Sequence, residues 1–199
     1  MQSNNSCSHC SGHLVYTQGI NADSLSCTKC KHSIMIPLTN ADIRQRLEDV
    51  LQETKKRESA WDDRFLEKAM QFTPWSKDPS TQVGCVIVNE EDKIILSTGL
   101  NGLPRGVRDL PERMERPQKY LWTAHAEENA VANAARVGIA LKGMTAYVTH
   151  YPCSRCARTL VQAGIARVVV GPGTTSMPPE EFEVAAQIFE EANIKITQK

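Results

Sequence analysis

Six of the seven cysteines in this chain stand in three Cys-x-x-Cys pairs, Cys7/Cys10, Cys27/Cys30 and Cys153/Cys156, and only Cys85 stands apart. Thiols grouped in this way are there to bond to something, so the pairs constrain the fold before any periodicity is read. In a short secreted chain they would suggest disulfides. This chain has 199 residues, and residues 1–6 are polar and lack the apolar segment of a secretory signal. Metal ligation is therefore the expected use and the cytoplasm the expected compartment. Zinc suits clustered thiolates and imidazoles.

The first two pairs are separated by 16 residues that carry a short apolar run, Leu14-Val15-Tyr16, and a turn signal over residues 19–23. This spacing predicts a zinc ribbon over residues 1–39, with Cys7, Cys10, Cys27 and Cys30 around one structural ion. Four thiolates complete a tetrahedron, which leaves His9, His13 and His32 to solvent or hydrogen bonds. A linker helix is expected over 40–58, where Ile43, Leu47, Val50 and Leu51 recur at helical spacing. A further helical stretch, with Trp61, Phe65, Ala69 and Phe72 on its apolar side, should end at Pro74.

The remainder, 59–199, reads as one α/β domain. Val- and Ile-rich segments at 83–89 and 93–100 form a hairpin, and a loop rich in Pro and Gly follows over 101–120. Helices are expected at 124–137, 153–163 and 179–192, with strands at 145–151, 167–171 and 194–197 between and after them. The predicted architecture is a three-layer fold, a five-stranded mixed sheet flanked by helices.

The chemistry concentrates in His125-Ala126-Glu127 and Pro152-Cys153-Ser154-Arg155-Cys156, each placed where a helix should begin. His125, Cys153 and Cys156 offer three zinc ligands, leaving one coordination position for water. Thiolates at a helix start are favoured by unpaired N–H groups and by the helix dipole. Glu127, two residues from the imidazole, is free to move protons. That set of parts suits hydrolytic deamination of an amino-heterocycle, and His-x-Glu followed by Pro-Cys-x-x-Cys is the signature of zinc deaminases.

The match extends to Ser76-Lys77-Asp78-Pro79-Ser80, Asn101-Gly102-Leu103-Pro104, Lys119-Tyr120 and His125-Ala126-Glu127-Glu128-Asn129-Ala130. These segments resemble the deoxycytidylate (dCMP) deaminase family, over about residues 60–197. The resemblance implies a cytidine deaminase-like fold, conversion of dCMP to dUMP, and a homo-oligomer, commonly a hexamer. It also implies dCTP activation, with Mg2+ accompanying that effector, and dTTP inhibition. Carried onto this chain, it makes Asn101 a sugar contact, Ala126 a base contact through its backbone, and Val83, Gly84 and Cys85 the pocket wall. Lys77, Tyr120 and Arg105 join them as substrate-binding residues. The phosphate is expected to find its cations among Lys77, Arg105, Arg108, Arg113, Arg116 and Lys119. The resemblance does not reach the N-terminal ribbon. Residues 101–124 hold neither Cys nor His, so the additional zinc site of some family members is not expected here.

Two other functions compete. A polynucleotide deaminase would use the ribbon to grip tRNA or single-stranded DNA, but Lys plus Arg equals Asp plus Glu at 23 each, so no overall field attracts nucleic acid or an anionic membrane. A nucleotide-sensing assembly protein would have no use for the proton shuttle at Glu127.

Overall fold

In a computed structural model of the chain, residues 10, 14–19, 22–27, 29–31 and 33–199 are described. Cys7, His9, His13 and His32 lie outside them. The chain forms two compact units, Met1–Glu58 and Ser59–Lys199.

The first unit contains an antiparallel meander, β1 (Leu14–Thr17), β2 (Ala22–Cys27) and β3 (Ser33–Pro37). The apolar run Leu14-Val15-Tyr16 falls in β1. The third strand has no polar–apolar alternation to announce it. Helix α1 (Asn40–Phe72) begins with reciprocal bonds: Thr39 N–H donates to Asp42 Oδ2 at 2.9 Å and Asp42 N–H to Thr39 Oγ1 at 3.2 Å. Arg46 donates to both oxygens of Asp23 at 2.6 Å and to the Gly19 carbonyl at 2.8 Å, tying the start of α1 to the meander. The two helical stretches of the sequence pattern are one element, because the polar residues between them include neither Gly nor Pro. Ile43, Leu47, Val50 and Leu51 are exposed.

The second unit is built on the five-stranded sheet, in the order β5-β4-β6-β7-β8. Its strands are β4 (Gly84–Asn89), β5 (Ile94–Leu100), β6 (Thr145–His150), β7 (Arg167–Gly173) and β8 (Lys195–Gln198). The β4/β5 and β4/β6 pairs are antiparallel, and β6/β7 and β7/β8 are parallel. The other helices are α2 (Lys119–Trp122), α3 (Ala126–Val137), α4 (Ser154–Gln162) and α5 (Pro179–Glu191). Alternation along the strands separates two apolar layers. Val86, Val88, Tyr147 and Val169 pack with Phe65, Leu66 and Ala69 of α1. Cys85, Ile87, Val148 and Val168 pack on the opposite face with Ala130, Leu160 and Phe189. The domain is thus a mixed sheet with helices on both faces, as expected.

Helix α3 carries the chemistry, and it lies close on β5. Ser97 Oγ donates to the Ala130 carbonyl at 2.6 Å, while Asn129 and Asn133 donate to the carbonyls of Leu100 and Thr98 at 2.6 and 2.7 Å. Gly99 permits this approach: a Cβ there would collide with the backbone of Ala126 and Ala130. Gly99→Ala is therefore expected to push the first turn of α3 outward and to cost about 1–3 kcal/mol, read as a lower midpoint in urea unfolding. An unchanged midpoint would mean that the helix is not held at this distance.

Candidate active site

Two helix starts meet at one end of the sheet. His125 precedes α3 in extended backbone, and Cys153 occupies the equivalent place before α4, directly after β6 and the Tyr151-Pro152 corner. His125, Cys153 and Cys156 bring their ligating atoms within 4.8 Å of one another. The imidazole Nδ1 is 3.5 Å from Cys153 Sγ and 3.3 Å from Cys156 Sγ. Around a tetrahedral zinc, with bonds of about 2.3 Å to sulfur and about 2.05 Å to nitrogen, sulfur and nitrogen stand about 3.5 Å apart. The donors and their spacing therefore fit zinc, and they form a single His/Cys/Cys zinc-binding site among the described residues. Hydrogen bonding from Cys156 and from His125 lowers the Cys153 thiol pKa despite burial, which favours the thiolate form that a metal ligand needs.

Glu127 lies in the first turn of α3 and is only 4% exposed. Burial pushes its carboxyl above the usual range, against the opposing pull of its own backbone N–H and of His125. A carboxyl group held in this way takes up a proton more readily than a surface glutamate. The neighbouring Glu128 is structural: it accepts from His125 N–H at 2.9 Å and from Arg155 Nε at 2.5 Å. Arg155, to which the sequence assigns no role, thus joins the start of α4 to the start of α3. Ser154 is similarly fixed, donating from its Oγ to Glu181 at 2.5 Å.

A cavity opens in front of these groups. His125, Ala126, Glu127 and Cys153 line it together with Val83, Asn101, Tyr120 and Thr123. The remaining wall comes from Asp78, Thr81, Arg116, Lys119, His150, Tyr151 and residues 175–177. Of the expected substrate contacts, Val83, Asn101, Tyr120 and Ala126 thus border the cavity.

Four others do not. Gly84 faces α1, where a side chain would strike the Ala69 carbonyl, because strand alternation turns it away from the cavity side. Cys85 is fully buried, and burial followed by the charge of Glu127 raises its thiol well above the ordinary value. It packs in the apolar layer between the sheet and α3 and is not among the residues that line the cavity. Lys77 is exposed and pairs with Asp109. Arg105 donates to Asn133 Oδ1 at 2.8 Å on the solvent side of α3.

Sequence reasoning misses His150, Tyr151 and the 175–177 segment. They come from the ends of β6 and of the loop after β7, which only the parallel pairing brings together. Burial lowers the His150 pKa, against a bond to the Thr174 backbone, which favours the neutral imidazole. Asp78 is visible as turn chemistry in Asp-Pro-Ser. Burial opposes its charge, but Lys119 and the N–H groups of Ser80 and Thr81 outweigh that and hold the carboxyl below its usual range.

Comparison with known proteins gives the same picture. The family model described as "Cytidine and deoxycytidylate deaminase zinc-binding region" matches residues 59–172. An uncharacterized deaminase in the luxG 3' region of Aliivibrio fischeri is 42% identical over 142 residues, covering 70% of this chain and 93% of its own. A deoxycytidylate deaminase of Mus musculus is 41% identical over 123 residues, covering 58% and 67%. Among solved structures, the dCMP deaminase of cyanophage S-TIM5 in complex with dCMP and dUMP aligns with a TM-score of 0.56 at 22% identity, over 69% of this chain and 95% of that one. That likeness supports the fold.

Proposed function

Since the chain belongs to the cytidine and deoxycytidylate deaminase family, we propose how its residues convert dCMP and water to dUMP and ammonia. It is an enzyme of the dCMP deaminase type, acting in pyrimidine nucleotide metabolism. The observation that carries the assignment of roles is the position of Glu127. It is buried beside the His125/Cys153/Cys156 cluster without belonging to it.

Zinc held by His125, Cys153 and Cys156 supplies Lewis acidity that makes water a nucleophile near neutral pH. Glu127 accepts the proton that water gives up and delivers it to the ring nitrogen beside the amino-bearing carbon. The water oxygen bonds to that carbon, and Glu127 relays the remaining proton of the new hydroxyl to the amine, so that the C–N bond breaks, ammonia leaves and the carbonyl of uracil remains. Val83 and the Ala126 backbone border the base, and Tyr120 stands on the rim beside the sugar. Of the six cations named for the phosphate, Lys119 and Arg116 reach the cavity. Arg116, which also donates to Ser176 Oγ at 3.3 Å, would hold the phosphate by charge-assisted bonds.

The test incubates the full, zinc-loaded chain with dCMP, CMP, deoxycytidine and a cytosine-containing oligonucleotide, and follows ammonia release. dCMP should turn over fastest; turnover of the oligonucleotide alone would overturn the reading. Arg116→Met should reduce kcat/KM for dCMP by about 10–100-fold, equivalent to about 1.5–3 kcal/mol for bonds to a charged group. Its kcat/KM for deoxycytidine should be unchanged, and an equal loss on both substrates would remove Arg116 from the phosphate site.

The same reading makes residues 1–39 a zinc ribbon, 40–58 a linker helix and 59–199 the catalytic domain. In support, Leu14 pairs with Cys27. The start of β1 and the end of β2 therefore lie side by side in the meander. Control by dCTP and dTTP, an Mg2+ ion with dCTP, and a hexamer belong to this reading and rest on the resemblance. Among the described residues no helix is long and apolar enough to cross a membrane.

A further inference from the structure

The cavity wall contains a lysine whose charge is already used. Lys119 Nζ donates to Asp78 Oδ2 at 2.7 Å, to Asp78 Oδ1 at 3.0 Å and to Ser80 Oγ at 2.7 Å. An ammonium group has three protons, so these partners account for its donor capacity. Both side chains are buried, at 8% and 3% exposure. Arg116, by contrast, has no carboxylate within salt-bridge distance among the described residues.

The partners of Lys119 lead to both walls of the cavity. Asp78 also accepts from the N–H groups of Ser80 and Thr81, at 2.9 and 3.1 Å, and from Asn101 Nδ2 at 3.2 Å. Asn101 is held on its other sides: its Nδ2 donates to the Thr81 carbonyl at 2.8 Å, and its Oδ1 accepts from Val83 N–H at 2.8 Å and Ser76 Oγ at 2.9 Å. In the other direction, Lys119 opens α2, and its carbonyl accepts from Thr123 N–H and Oγ1 at 2.9 and 2.6 Å. Ala124 and Gly102 then exchange backbone bonds at 2.9 and 3.0 Å, and the next residue is His125.

We propose that Lys119 is a positioning residue and not a phosphate ligand: by closing on Asp78 it locks the 76–83 turn, with Asn101, to the segment that runs into His125. The inference rests on the dCMP reading and deepens it. Lys119 sets the distance between the sugar side of the cavity and the reacting end, and Arg116 alone of this pair is left for the phosphate.

The decisive quantity is the ratio of kcat/KM for dCMP to kcat/KM for deoxycytidine. Lys119→Met should lower kcat/KM on both substrates by the same factor, roughly 100-fold for a displaced wall, and so leave the ratio within about threefold of the parent's. Lys119→Arg should behave similarly, since a planar fork does not fit the buried slot of an ammonium. The double variant Asp78→Asn/Lys119→Met removes both charges and should recover part of the loss, because an unpaired buried charge is worse than none. A phosphate contact gives the opposite pattern: Lys119→Met loses dCMP selectively, deoxycytidine is untouched and Lys119→Arg restores dCMP. That result, or unchanged kinetics in Lys119→Met, overturns the proposal. If Lys119→Met does not fold, the ratios in Lys119→Arg and the double variant decide between the same two patterns. A parent chain that deaminates neither substrate defeats the dCMP reading itself, which is a separate failure from a shifted ratio.

Discussion

Replacing Glu127 with Gln is expected to reduce kcat on dCMP by about 10²–10⁴-fold, the range in which a positioned acid–base group contributes, while zinc at the His/Cys/Cys site is retained. Gln keeps the size and hydrogen-bonding reach of the native side chain but cannot accept and return a proton. Burial at 4% exposure means that solvent does not substitute for it. KM should change little, because Glu127 acts on protons in flight more than on bound substrate. The check is steady-state kinetics with metal content measured on the same preparation. Loss of zinc together with activity would make Glu127 a ligand, and the assigned roles would fail.

The second large effect concerns stability, on the sheet face covered by α1. Arg167 on β7 donates from its two terminal nitrogens to Asp62 Oδ1 and Oδ2, at 2.9 and 2.7 Å, and to Glu90 Oε1 at 2.7 Å. Tyr147 OH lies 3.0 Å from Asp62 and 2.9 Å from Glu90. Burial, followed by the bond to Glu90, pushes its phenol far upward, so it remains a donor. Arg167→Met would leave Asp62, with its side chain 5% exposed, as a buried carboxylate facing Glu90 without a cation. A broken buried pair costs about 3–5 kcal/mol, a large part of the roughly 5–15 kcal/mol that holds a domain folded. Glu90 is over a third exposed and adds little. Urea unfolding measures the loss. A change below about 1 kcal/mol would mean that solvent already screens the network.

What sequence can reveal divides along physical lines. The strands and helices of the 59–199 region are visible because their apolar periods are strong and Gly or Pro marks most ends. The zinc ligands are visible because ligand spacing is local: Cys153 and Cys156 share one helical turn, and His125 stands at a helix start two residues before Glu127. The cavity wall is not. Whether Lys77, Arg105, Arg116 or Lys119 reaches the cavity depends on which way a long loop folds, and the sequence has no period there to say so. Lys77 and Arg105 find partners in Asp109 and Asn133, and Lys119 finds Asp78, a residue 41 positions away in the chain. Gly84 is misplaced for a simpler reason. A run buried on both faces hides which residue of β4 points toward the cavity, and the parity is set by pairing with β6, not by composition.

The central claim is that three side chains hold the metal while a fourth, separate group handles protons. A crystal structure of the zinc-loaded chain tests it most directly. The account predicts a zinc ion at His125, Cys153 and Cys156, with its remaining position taken by a non-protein ligand and the Glu127 carboxylate facing that position unbonded to the metal. A fourth protein atom bonded to the zinc, from Glu127, Cys85 or elsewhere, would contradict it.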